Sequence, residues 1–184
     1  MSALQNKIDF VALVSVTMAN SNGDPLNGNR PRTNYDSRGE ISDVCIKRKI
    51  RNRLQDMGQC IFVQSDDRCD DGCASLRDRA EQAIKGVKDR NEYARLACEK
   101  WIDVRSFGQV FAFKEKKKGD GVSVGVRGPV SIHQALSVSP VEIESLQITK
   151  SVNGETPSKK EAAEEESAGK RSSDTMGMKH YVRF

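Results

Sequence analysis

The chain has 184 residues, enough for one ordinary domain with an inserted subdomain and a sizeable core, so it does not need a disulfide scaffold. Hydrophobic residues make up 36% and mean hydropathy is −0.62, which points to long polar loops or to surfaces completed by partners. No apolar run approaches the roughly 18 residues of a membrane span, and no leader-like opening is present, so a cytoplasmic location away from membrane is expected.

In chain order, Ile8 to Met18 is an apolar, β-branched run of strand length and predicts a buried first strand of the core. Ala19 to Ile41 is rich in Asn, Gly, Asp, Pro and Arg and predicts a long loop. Ser42 is a good N-cap, and Ile46, Ile50, Leu54 and Met57 recur at helical spacing up to Gly58, so an amphipathic helix follows. Cys60 to Gln64 predicts a short strand and Ser65 to Gly72 an acidic turn. Ser75 to Val87 and Asn91 to Trp101 predict two helices. Phe107 to Phe113 and Val122 to Ile132 predict a hairpin around the turn Lys114 to Gly121. Glu142 to Lys150 predicts another strand, Val152 to Met178 is polar enough to read as a flexible excursion, and Tyr181 to Phe184 resumes a strand pattern. The order is that of an α+β domain and not of alternating parallel units.

The net charge of +4 is mild, so an anionic partner must be argued from where the charges cluster. They cluster at Arg30, Arg32, Arg38, Lys47, Arg48, Lys49, Arg51 and Arg53, set against Asp36, Glu40 and Asp43, a local excess larger than the charge of the whole chain. Lys47, Arg48 and Arg51 fall on one side of the predicted helix, which is expected to face solvent while Ile46, Ile50 and Leu54 pack inward. A basic face of this kind gives salt-sensitive affinity for a phosphate backbone, although many such faces are simply solvated. The adjoining Asn20, Asn22, Gly23, Asp24, Asn27, Gly28 and Asn29 favour the phosphate reading, because a Gly and Asn loop exposes backbone donors.

The strings MANSNGDPLNGNRPR (Met18 to Arg32) and SDVCIKRKIRNRL (Ser42 to Leu54) resemble the backbone subunit of the type I-C CRISPR Cascade complex, in the Cas-seven superfamily. Further matching strings are IDVRSFGQVFA from Ile102, VRGPVSI from Val126, LQITKSVN from Leu146 and TMGMKHYV from Thr175, in family order along nearly the whole chain. The resemblance implies an RRM-like, ferredoxin-type palm over 1–184 that lacks its C-terminal part, with a helical finger-like insertion at 65–125 and a thumb hairpin at 147–180 that is partly disordered. It also implies partners: crRNA, target DNA through the guide, copies of the same chain in a helical filament, and other Cascade subunits. Carried over residue by residue, Asn20, Asn22, Asp24, Arg32, Lys47, Arg48 and Arg51 line the guide backbone. Thr175, Met176, Gly177 and Met178 match the thumb that kinks the guide, with Met176 or Met178 as an apolar wedge at a displaced base.

Other constellations are weaker. Asp67, Cys69, Asp71, Gly72 and Asp78 imitate a calcium loop imperfectly, and Cys60, Cys69, Cys73 and Cys98 lack zinc-site spacing, so no metal is expected. The five cysteines, Cys45 included, are an odd set that fits reduced thiols. His133 and His180 have no obvious nucleophile beside them, and Gly121, Gly125 and Gly128 lack a phosphate-loop ending. Lys114, Lys116, Lys117 and Lys118 form a charged hairpin tip that reads equally as a DNA contact or a solvated turn. Trp101, Phe107, Phe111 and Phe113 read as core. The expectation is therefore a noncatalytic RNA scaffold without cofactors. The rivals are a metal-dependent endoribonuclease of the type III-like class using Asp24 or Asp36, and a truncated fragment that does not assemble.

Overall fold

The computed structural model describes residues 4–112, 123–149 and 176–183. The strands are β1 (Gly23–Asp24), β2 (Arg30–Pro31), β3 (Arg38–Ile41), β4 (Gly108–Ala112), β5 (Ser123–Arg127), β6 (Ala135–Pro140), β7 (Glu142–Thr149) and β8 (Met176–Arg183). The helices are α1 (Asp43–Asp56), α2 (Leu76–Ala83), α3 (Arg90–Lys100) and α4 (Ile102–Phe107). This mixture of helix and antiparallel sheet agrees with the α+β expectation. The chain divides into a strand unit, Met1–Ile41 with Ala135–Phe184, and a helical unit, Ser42–Gln134.

In the strand unit the expected long loop Ala19 to Ile41 is largely folded into two tight hairpins. β1 pairs antiparallel with β2, a bridge joins Thr33 to Gly39, and β3 pairs antiparallel with β6. The turn between β2 and β3 closes on the Asn34 side chain, which accepts from the amides of Asp36 at 3.0 Å and Arg38 at 2.9 Å. Arg38 then reaches across to β6, donating Nη1 to the carbonyls of Ser137 and Val138. β7 pairs with β8 over its full length, from Glu142 opposite Arg183 to Thr149 opposite Met176, and β2 lies beside β8. The composition of residues 135–140 had given no strand signal.

The expected first strand is not formed among the described residues. Ile8 to Val14 takes no regular secondary structure, and Val11 and Leu13 are 89% and 91% exposed. A run that is apolar on both faces becomes a strand only when neighbours cover both faces, and the described residues supply no such cover.

The helical unit follows the sequence more closely. Ser42 Oγ caps α1 by accepting from the Cys45 amide at 3.3 Å, Ser75 caps α2 and Asp89 caps α3. β4 and β5 form the expected hairpin, while α4 was not foreseen, because IDVRSF is too short to show a helical period. Phe62, Trp101, Tyr93 and Phe111 make the centre of the core, with ring centroids 4.7 Å apart for Phe62 and Trp101 and 5.0 Å for Phe62 and Phe111. Trp101 and Phe111 are thus core residues as expected, and Phe107 is half-buried. Phe113, the Lys114 to Gly121 turn and the excursion from Val152 as far as Thr175 lie outside the described residues.

Candidate nucleic-acid interface

One candidate surface, in the strand unit, is the β1–β2 hairpin. Asp24 accepts from the Leu26 amide at 3.1 Å and caps the 3-10 turn Pro25–Asn27, after which Gly28 and Asn29 take left-handed conformations that return the chain to β2. Asn20 donates Nδ2 to the Asn29 carbonyl at 2.8 Å, and Asn22 donates to the Gly23 carbonyl at 3.1 Å. These three polar side chains fix the backbone of the hairpin. What the hairpin presents outward is positive charge: Arg30 is exposed, and the Arg32 side chain is 40% exposed and 3.8 Å from Glu40. Arg32 Nε is enclosed without a hydrogen bond, as is Asn20 Oδ1, so this end of the guanidinium is incompletely satisfied.

A separate candidate surface, in the helical unit, is α1, where the structure corrects the expected orientation. Arg48 and Arg51 do not form a solvent face. Arg48 donates Nη1 to the Val63 carbonyl at 2.6 Å, and Arg51 donates Nε to Asp103 Oδ2 at 3.0 Å while lying 5.2 Å over the Phe107 ring. Ile46, Ile50 and Leu54, expected inside, are only half-buried. Burial and the neighbouring Arg51 charge lower the pKa of Arg48. Lys47 donates to Asp43 at 3.1 Å, and that contact holds the Asp43 carboxyl below its ordinary value. The exposed cations of α1 are Lys49 and Arg53, one helical turn apart.

Those arginines are drawn inward by a segment expected to be a strand. Among the described residues Phe62 and Val63 pair with no strand, and side chains take all four of their backbone groups. Asp103, whose carboxylate is fully buried, accepts from the Phe62 amide at 2.8 Å and the Val63 amide at 3.0 Å. Arg79 donates to the Phe62 carbonyl at 2.9 Å, and Arg48 to that of Val63. A cradle of one carboxylate and two guanidiniums therefore replaces a β-ladder. Asp103 and Arg79 carry no motif that sequence reasoning could have used. The one signal was an Asp in an otherwise apolar stretch.

Arg79 also grips Asp71, with Nη2 2.8 Å from Oδ1, and this hydrogen bond holds the Asp71 carboxyl far below the usual carboxylate range. Asp71 therefore serves an ion pair, and no group of three His, Cys, Asp or Glu side chains that could hold a metal comes together among the described residues. His133 is exposed beyond β5. Of the thumb residues, Thr175 lies outside the described residues, and Met176, Gly177 and Met178 stand on β8 opposite Thr149, Ile148 and Gln147. The structure thus places Asn20, Asn22, Asp24, Arg32 and Met176 to Met178 in the strand unit, and Lys47, Arg48 and Arg51 in the helical unit. No helix of the described residues is long and apolar enough to cross a membrane.

The chain is 26% identical over 155 residues to the CRISPR-associated protein Cas7 of Haloferax volcanii, an alignment that covers 74% of this chain. It spans only 44% of that relative's length. The profile of the family described as CRISPR-associated protein Cas7 matches residues 6–184, and the chain belongs to that family.

Proposed function

We propose that the chain is a guide-RNA-binding backbone subunit of a type I-C CRISPR surveillance complex, a noncatalytic scaffold in antiviral defence. Family membership over residues 6–184 carries this reading, and the hairpin that presents Arg30 and Arg32 supports it. Copies of the chain follow one another along crRNA as a helical filament beside other Cascade subunits. The guide pairs with target DNA, and the protein grips the phosphates without reading bases. In this reading an RRM-like palm carries the finger-like insertion 65–125 and the thumb-like excursion 147–180. Arg32 and Lys47 meet phosphate, while Asn20, Asn22 and Asp24 shape the hairpin that positions Arg32. Arg48 and Arg51 hold α1 in place. Met176 or Met178, in the thumb string with Thr175 and Gly177, supplies the apolar wedge.

The test is binding of a guide-length RNA across a salt series in the presence of magnesium, with RNA integrity followed throughout. Arg30→Gln/Arg32→Gln is expected to weaken binding and to lower the salt slope by about 1.4, at about 0.7 per lost contact on a single strand. An unchanged slope in a folded variant overturns the assignment of the hairpin. Magnesium-dependent cleavage that disappears in Asp24→Ala or Asp36→Ala would establish the endoribonuclease alternative instead.

A further inference from the structure

Cys69 and Cys73 stand at the two ends of a tight turn in the helical unit, a pair the RNA-binding reading does not use. Gly72, at φ +68°, reverses the chain between them, and Cys69 Sγ comes within 3.4 Å of the Cys73 carbonyl oxygen. Both residues also converge on Asp71: Cys69 Sγ lies 3.5 Å from Oδ1, and the Cys73 amide donates to the same oxygen at 3.0 Å. Arg79, fixed on Asp71 and on the Phe62 carbonyl, directs Nη2 to Cys69 Sγ at 3.5 Å. The turn is therefore held closed from the side of the core, and it sets the Cys69 sulfur against the Cys73 backbone. Cys69 is exposed, whereas Cys73 is half-buried and lines a cavity of about 360 Å³ with Cys60, Asp71, Arg79, Lys100 and Trp101.

We propose that Cys69 and Cys73 form a vicinal dithiol site that reacts with low-molecular-weight disulfides and closes into an intramolecular disulfide. The exposed Cys69 reacts first. Its thiol gives a proton to solvent, its sulfur attacks one sulfur of the small disulfide, and the other half leaves as a thiolate that takes up a proton. The Cys73 thiol then loses its proton and attacks the Cys69 sulfur, and the second small thiol departs. The two cysteines are oxidised by two electrons in total, and the small disulfide is reduced to two thiols. Burial and the hydrogen bond to Asp71 raise the Cys73 pKa, which is consistent with its acting second.

The test uses the reduced full chain and bis(2-hydroxyethyl) disulfide as the probe, followed by alkylation, trypsin digestion and mass spectrometry. Cleavage after Arg68 and Arg77 releases both cysteines in one peptide, CDDGCASLR, while Cys45, Cys60 and Cys98 fall in separate peptides. The expected product is that peptide unalkylated and lighter by two hydrogens, formed on the order of tenfold faster in the folded chain than in urea, because the fold holds the turn closed. Cys73→Ser should arrest the reaction with the small thiol still attached to Cys69. Pairing of Cys73 with Cys60 or with a second chain, or equal rates folded and unfolded, would overturn the proposal. The wild-type peptide map decides the matter even where a variant does not fold, and it does not depend on RNA binding.

Discussion

Replacing Asp103 with alanine tests the cradle directly, since one carboxylate there holds two backbone amides and a guanidinium. Phe62 is fully buried, so its orphaned amide has no route to water, and the Val63 amide is half-buried. Each such unmade bond costs about 1–3 kcal/mol. Arg51 is left behind with its side chain 12% exposed, and breaking a pair this deeply buried costs about 3–5 kcal/mol. These terms overlap, so Asp103→Ala is expected to lose about 4 kcal/mol in all, a large part of the roughly 5–15 kcal/mol that holds a domain folded. Asp103→Asn should recover little, because its amide nitrogen faces other donors, whichever way it turns. The single tryptophan, Trp101, packs 4.7 Å from Phe62 and reports unfolding in urea by its fluorescence. A loss below about 1 kcal/mol in Asp103→Ala would show that the cradle is not what holds residues 61–63. Arg51→Gln is expected to be destabilising too, and if it weakened RNA binding while leaving stability unchanged, the structural role assigned to Arg51 would be refuted.

Other outcomes follow from local geometry. Gly128→Ala would bring a Cβ within 2.2 Å of the Ser106 carbonyl oxygen and 2.4 Å of the Gly108 amide nitrogen, both backbone, so the α4–β4 junction has to shift. The expected cost exceeds about 1 kcal/mol, seen as a drop of several degrees in thermal midpoint, and an unchanged midpoint would contradict the packing described. Asp71 ionises more readily in the folded chain than in the unfolded one, where its value is the ordinary 3.8. Its contribution is therefore complete above about pH 4 and is lost as the pH falls below that, and an acid titration of stability should be flatter in Asp71→Asn. If the two titrations coincide, the Arg79 contact does not stabilise the fold. In RNA binding, Lys49→Gln/Arg53→Gln measures what the exposed side of α1 adds, and a reduced salt slope without a change in urea midpoint is expected.

The helical unit was legible because its signals are local. Ser42 and Gly58 bracket α1, Ser75 and Asp89 open α2 and α3, and the aromatic residues that pack together are apolar wherever they occur. What sequence reading missed is non-local. The Cys60 to Gln64 segment has strand composition, yet its middle residues bond to Asp103, Arg79 and Arg48, and nothing in the spacing of those residues announces it. The orientation of α1 failed for the same reason: helical periodicity places Arg48 and Arg51 on one side but does not say that a buried carboxylate waits there. At the candidate interface, the concentration of Arg, Asn and Gly in the Ala19 to Ile41 stretch was visible. The division between Asn20, Asn22 and Asp24, which bind backbone, and Arg30 and Arg32, which face outward, needed coordinates.

The pairing of β3 with β6 bears on the order in which the chain folds. Ile41 and Ala135 are cross-strand partners, so the whole of Ser42–Gln134 leaves the strand unit and returns to it at neighbouring positions. Joining β3 to β6 across an unstructured loop of that length would carry a closure entropy of about 4 kcal/mol. Once the helical unit has folded, its two ends are already near one another and most of that entropy has been surrendered. Formation of the β3–β6 ladder should then trail the helical unit in time, and anything that loosens the helical unit slows assembly of that ladder.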